Sequence, residues 1–295
     1  MDAIVSSQWL AEHLGQTDIV VFDTTKYLPH EPKDGLVEFR AAHIPGARFF
    51  DIDLVADPDT TLPHMVPTPG RFAKLMAEYG VSNDTLCIFY DQKGLASAAR
   101  GWWLMGLFGH DKAAVLDGGL PKWVKEGRAV EAGAPATPAP ATQAPATQAR
   151  ATFLPAYRPT RLRGVGDVLA NVISGNELVL DARAGNRFRA EVPEIRPGIR
   201  AGHMPGSVNL PYTELLAADQ TLLPAGQLRA RLVAAGVDGA GVDGARPVVT
   251  SCGSGVTACI LTLAMTVAGL PAGAVYDGSW TEWGGRTDTK VETGP

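Results

Sequence analysis

Residues 246–269 read RPVVTSCGSGVTACILTLAMTVAG, and the order of residue types in that stretch sets the fold class. Arg246 to Ser251 is an extended run of strand type. CGSGVT follows, then an apolar run of helical length that stops near Gly269 and Pro271. A strand, a tight loop and a helix in that order belong to a parallel α/β sheet, whose ligands bind at the carboxyl edge of the strands. Gly253 and Gly255 permit backbone angles that turn successive N–H groups inward onto one atom at the helix N-terminus. A thiolate on Cys252 is stabilised in such surroundings and is nucleophilic at neutral pH. A lone cysteine is usually a buried structural residue. The glycines on both sides of Ser254 and the preceding strand weigh against that here. Cys259, inside the apolar helix, and Cys87, in the strand TLCIFY, read as core.

Other loop chemistries fail on the letters. A cysteine phosphatase needs an arginine six positions after its nucleophile, and that position is Ala258. A nucleotide P-loop ends in Gly-Lys-Ser or Gly-Lys-Thr, and CGSGVT has no lysine. No CxxC or Cys/His cluster offers a metal or redox pair. No metal or other cofactor is expected.

Length and composition set further bounds. A chain of 295 residues favours two domains. A hydrophobic content of 45% with 19% charged residues is that of a folding chain. The formal charge of -5 gives no attraction to phosphate backbones or anionic lipid, so neither nucleic acid nor a membrane is an expected partner. The longest apolar stretch, Cys259 to Val267, is far shorter than the roughly 20 residues that cross a bilayer. MDAIVSSQWLAEHLGQ lacks the basic start and apolar run of a secretory signal. Three cysteines are too few and too odd for a disulfide framework, so a reducing, cytoplasmic setting is expected.

The chain repeats itself. RAAHIPGA, from Arg40, returns as RAGHMPGS, from Arg200, with His43 and His203 160 positions apart. VLDGGLPKW, ending at Trp123, returns as VYDGSWTEW, ending at Trp283, at the same offset of 160. Strand-like runs ending in Asp23 and Asp181 open the two halves. A tandem repeat follows, each copy a mostly parallel sheet flanked by helices. Ala132 to Thr152 is built of Ala, Pro, Thr and Gln with one Arg, and reads as a linker. The expected division is therefore a first domain at residues 1–130, a linker at 131–152 and a second domain at 153–295.

The repeat is also an internal control: features in both halves are scaffold, and features in one half are candidates for chemistry. His43 and His203 fall in the first group, in turns entering strands. Cys252 falls in the second, because the first-half loop DQKGLAS carries Asp91 there, 161 residues earlier. Arg187 and Arg196 also fall in the second group, since their first-half counterparts are Tyr27 and Leu36. A guanidinium grips a carboxylate through two parallel hydrogen bonds, which suits an α-keto acid.

These residues resemble the tandem-domain rhodanese superfamily and, within it, the 3-mercaptopyruvate sulfurtransferases, whose active loop reads CGSGVT. The resemblance covers nearly the whole chain, with the Ala/Pro-rich linker as a departure that touches no motif. It implies two rhodanese domains, an inactive first and a catalytic second, with the site in the cleft between them. From DIDLVADPDTTLPHM it implies Asp53 and His64 as catalytic partners of Ser254, and from DARAGNRFRAEVPEIR it implies Arg187 and Arg196 as substrate-binding residues. It further implies that Cys252 carries the persulfide and that Gly253, Gly255, Val256 and Thr257 line the donor. The expected reaction takes sulfur from 3-mercaptopyruvate, releases pyruvate and passes the sulfur to a thiol, thioredoxin or cyanide. Two other readings remain open: a thiosulfate:cyanide sulfurtransferase, although this loop lacks the cationic residues of relatives that prefer that dianion, and a non-catalytic persulfide carrier.

Overall fold

The structure is a computed structural model and describes residues 2–134, 151–237 and 246–295. Five strands form the first sheet: β1 (Ile4–Val5), β2 (Ile19–Asp23), β3 (Arg48–Phe49), β4 (Leu86–Tyr90) and β5 (Ala113–Leu116). Five more form the second: β6 (Leu162–Arg163), β7 (Leu178–Asp181), β8 (Val208–Asn209), β9 (Val248–Ser251) and β10 (Ala274–Tyr276). The spatial orders are β1-β5-β4-β2-β3 and β6-β10-β9-β7-β8, one order used twice, and the strand pairs are parallel throughout. Parallel strands covered by helices are buried on both faces, which is why β4, LCIFY, and β9, VVTS, have no solvent-facing side.

The repeat filter holds where it assigned scaffold. His43 Nδ1 lies 2.8 Å from Phe39 O and its ring stacks on Phe39, while His203 Nδ1 lies 2.9 Å from Phe188 O and stacks on Phe188. Each also sits in a backbone bridge, His43 to Glu131 and His203 to Glu292. Of the expected linker, Glu131 is therefore paired with the first half, and residues 135–150 lie outside the described residues. The chain re-enters along the first half: Phe153 packs edge-on against Phe72, and the Ala156 N–H donates to Phe108 O at 2.8 Å.

Two helices, Ala98–Leu107 and Ala258–Val267, are apolar almost all round and pack against each other at the junction of the halves. One hydrophobic core runs across that junction, from Phe22, Phe89 and Trp103 to Leu180, Cys252 and Ile260. The duplicated DG segments add reciprocal polar contacts. Asp117 of the first half accepts from Leu222 N–H at 2.8 Å, and Asp277 of the second accepts from Val66 N–H at 2.6 Å.

Arg100 breaks this near-symmetry. It interrupts the apolar helix AARGWWLMGL, its side chain is 1% exposed, and its Nη2 donates to Asp277 Oδ1 at 2.7 Å. Removing one member of a buried pair leaves the other charged and unpartnered, which costs about 3 to 5 kcal/mol, whereas apolar replacement of both is far milder. Asp277→Leu is expected to lower unfolding free energy in urea by about that amount, and Arg100→Met/Asp277→Leu to recover most of it. Equal losses in the single and double variants would contradict this.

Candidate active site

Cys252 follows β9 directly and is 2% exposed, at the head of the loop leading into helix Ala258–Val267. The first half shows what such a loop is shaped to hold. There the Asp91 Oδ2 accepts from the amides of Ala96, Ser97 and Ala98 at 2.8, 2.9 and 2.9 Å, so the loop closes around its own anion. In the second half the thiol replaces that carboxylate. Among the described residues, the amides of Gly253 to Thr257 donate to no protein acceptor. Gly255 has φ +76, and a Cβ there would lie 2.9 Å from Asp277 O and 3.2 Å from Arg100 Nη1, so the tight turn requires glycine. Gly255 thus lies behind the loop, while Gly253, Val256 and Thr257 face the cleft.

A first-half loop brings a relay to this cysteine. Ser254 Oγ is 2.9 Å from His64 Nδ1, and His64 Nε2 is 3.2 Å from Asp53 Oδ1. Asp53 is also ion-paired with Lys26. His64 holds the Asp53 carboxyl well below the usual carboxylate range, with Lys26 adding to the effect. Burial lowers the pKa of His64, which outweighs the pull of Asp53, so the imidazole is neutral at neutral pH. The carboxylate then takes the Nε2–H, and Nδ1 is left to accept from the Ser254 hydroxyl.

Arg187 comes from the short helix Gly185–Phe188 and Arg196 from the following loop; both line the cleft with Cys252 and Ser254. The cleft has a volume of about 660 Å³ and is walled by both halves. Arg187 is ion-paired with Glu194, whose other oxygen accepts from Arg183 at 2.8 Å. The Arg187 Nε is buried without a partner among the described residues. Burial pushes Arg196 below its ordinary value, though a guanidinium so shifted stays charged. The other cysteines are sealed in the core: burial pushes the Cys259 thiol up to about 12 and that of Cys87 well above the usual range.

Sequence reasoning brought Cys252, Ser254, His64, Asp53, Arg187 and Arg196 to one cleft, and the structure gathers them there. It passed over Lys26, Glu194 and Arg100. Arg100 had a visible signal, a charge inside an apolar helix. Glu194 and Lys26 had none, because each reads as a surface charge until its partner is placed.

The Rhodanese-like domain family matches residues 6–126 and again 165–286, and the chain belongs to that family, in tandem form. Among full-length relatives, it is 39% identical over 289 residues to the 3-mercaptopyruvate sulfurtransferase of Escherichia coli, covering 98% of this chain and 97% of the relative. It is 37% identical over 302 residues to thiosulfate/3-mercaptopyruvate sulfurtransferase 1, mitochondrial, of Arabidopsis thaliana, covering 99% and 78%. The crystal structure of SseA from Escherichia coli superposes with a TM-score of 0.79 at 36% identity, over 95% of this chain and 99% of that one.

The relay gives a pH prediction. Neutral His64 is the form that accepts a proton, so activity is lost as pH falls through its pKa, and the acid limb of kcat/KM lies below the ordinary imidazole value of about 6.5. Asp53 holds that pKa up, so Asp53→Asn is expected to move the limb to still lower pH and to reduce kcat by about 10-fold to 100-fold. A limb that moves upward, or an unchanged kcat, would contradict the relay.

Proposed function

We propose that this chain is a 3-mercaptopyruvate sulfurtransferase that carries sulfur as a persulfide on Cys252. The observation that carries the reading is the meeting of Cys252, the Ser254–His64–Asp53 chain and two cleft-lining arginines at one point between the halves. Arg187 and Arg196 hold the carboxylate and keto oxygen of the donor, with its sulfur at the mouth of the loop. The Cys252 thiolate attacks that sulfur, the new S–S bond forms, and the carbon–sulfur bond breaks with its electron pair leaving on the pyruvate enolate. Ser254 and His64 take the proton of the donor thiol and return it to the enolate carbon, so the charges balance over the half-reaction. The loop amides that receive a carboxylate in the first half receive the persulfide anion here.

A nucleophilic acceptor, a thiolate or cyanide, then attacks the outer sulfur, and the S–S bond breaks with its electron pair returning to the Cys252 thiolate. A small thiol, thioredoxin or cyanide fits that role chemically, since a cleft of about 660 Å³ admits a small molecule or the tip of a protein loop. A reducing compartment such as the cytoplasm suits three free cysteines. Thiosulfate is the second donor to consider, because the names of two relatives include it. The neutral Gly, Ser, Val and Thr of the loop favour mercaptopyruvate, although Lys26 and the two arginines leave the cleft cationic enough to admit a dianion.

Intact-protein mass spectrometry after mixing with each donor tests the reading. Mercaptopyruvate is expected to add one sulfur atom to the wild type and none to Cys252→Ser, while Cys87→Ser and Cys259→Ser keep the adduct. Arg187→Ala or Arg196→Ala is expected to cost about 2 to 4 kcal/mol in kcat/KM with mercaptopyruvate. Sulfur uptake by Cys252→Ser, or a wild type that takes sulfur from thiosulfate alone, would overturn it.

A further inference from the structure

The two DG segments are alike in course and different in chemistry. DGGLPKW, residues 117–123, and DGSWTEW, residues 277–283, each run from a strand into a short helix beside the loop of their own half. In the first half Gly119 has φ +52, and Leu120 N–H donates to Asp91 O at 3.1 Å. In the second, Ser279 has φ +49, and Trp280 N–H donates to Cys252 O at 3.0 Å. Gly118 and Gly278 differ, with φ +83 and -62, but at the next position both chains are left-handed, and there the armed half puts serine where that conformation favours glycine. Strain of this kind persists where surrounding contacts fix it, and it concentrates at functional sites.

The serine's contacts account for its presence. Ser279 is fully buried, and its Oγ accepts from Cys252 N–H at 3.2 Å while donating to Tyr276 O at 2.8 Å. Two positions on, Thr281 stands where the first half has Pro121, which has no N–H and no hydroxyl. Thr281 donates twice to Gly253 O, from its N–H at 2.9 Å and from its Oγ1 at 2.6 Å. Hydroxyls thus grip the chain immediately before and immediately after the Cys252–Gly253 junction, and the half whose loop carries Asp91 in place of the cysteine has neither.

We propose that Ser279 and Thr281 are positioning residues that clamp the backbone of Cys252 and Gly253 and so fix the direction of the sulfur within a loop whose amides, among the described residues, donate to no protein acceptor. The proposal deepens the reading of Cys252 as sulfur carrier and rests on it. A thiolate displaced by a fraction of an ångström loses its alignment with the incoming sulfur without altering how the arginines hold the donor, so the clamp acts on turnover and not on donor affinity.

Ser279→Gly, Ser279→Ala, Thr281→Val and Thr281→Ser separate this role from a structural one. Steady-state kinetics with mercaptopyruvate are expected to show kcat reduced about 10-fold to 100-fold in Ser279→Gly, Ser279→Ala and Thr281→Val, with KM within about two-fold of wild type. Thr281→Ser keeps the hydroxyl and is expected to retain wild-type kcat. Ser279→Gly is expected to melt above Ser279→Ala, because both lose the hydroxyl and only alanine keeps the strained backbone. Wild-type kcat in Ser279→Gly, or a KM that rises as far as kcat falls, would overturn the clamp. Mass spectrometry of the wild type after donor treatment separates the two levels. Absence of any persulfide would overturn the Cys252 reading and the clamp with it, whereas persulfide formation at one rate in wild type and variants would overturn the clamp alone.

Discussion

Arg100 belongs to the first half by sequence and reaches into the second by its contacts. Its guanidinium donates to Asp277 Oδ1 at 2.7 Å and to Gly255 O at 3.2 Å, and the same group donates to the first half's His64 O at 2.5 Å. A single permanently charged, rigid fork therefore ties the backbone of the proton relay to the backbone of the cysteine loop. Burying it requires a carboxylate partner, and Asp277 supplies one while also accepting from Val66 N–H two residues beyond His64. The Ser254–His64 contact across the cleft depends on that fixed separation.

Duplication explains how such a site arises from an ordinary scaffold. Both halves use one strand order and follow their central strand with a loop, which in the first half wraps three amides around the Asp91 carboxylate. The first half closes that cradle permanently with Asp91; the second leaves it to a cysteine. Catalysis then needs little new structure: glycines that let the loop turn tightly, arginines on the cleft wall, and a relay borrowed from the opposite half. The pairing of Glu194 with both Arg183 and Arg187 holds a cleft-lining arginine in place while its Nε stays without a partner among the described residues.

What the sequence discloses follows the range of each interaction. The strand, loop and helix around Cys252 are set by neighbouring residues, and the repeat is visible as matched letters, so the fold and the place of the cysteine loop in it are legible without coordinates. His64 and Ser254 are 190 positions apart and Arg100 and Asp277 are 177, and no local pattern links residues across such spans. His64 and Asp53 were found through family resemblance, since a histidine in a Pro-rich loop has no periodicity of its own. Asp277 was hidden for a different reason. Asp117 matches it in the other half, so comparison of the halves marked both as scaffold, although only Asp277 meets an arginine. Ser279 lies within the second repeated DG segment, and its letter carries no sign of the left-handed backbone that it shares with Gly119.

The central claim is that this buried fork assembles the proton relay and not the nucleophile. Rapid-mixing measurement of the pyruvate burst in Arg100→Met/Asp277→Leu, alongside the alkylation rate of Cys252 by iodoacetamide, tests it most directly. The account predicts a folded protein whose alkylation stays within about two-fold of wild type while the burst with mercaptopyruvate slows by at least about 10-fold. A burst at the wild-type rate in that folded variant would contradict it.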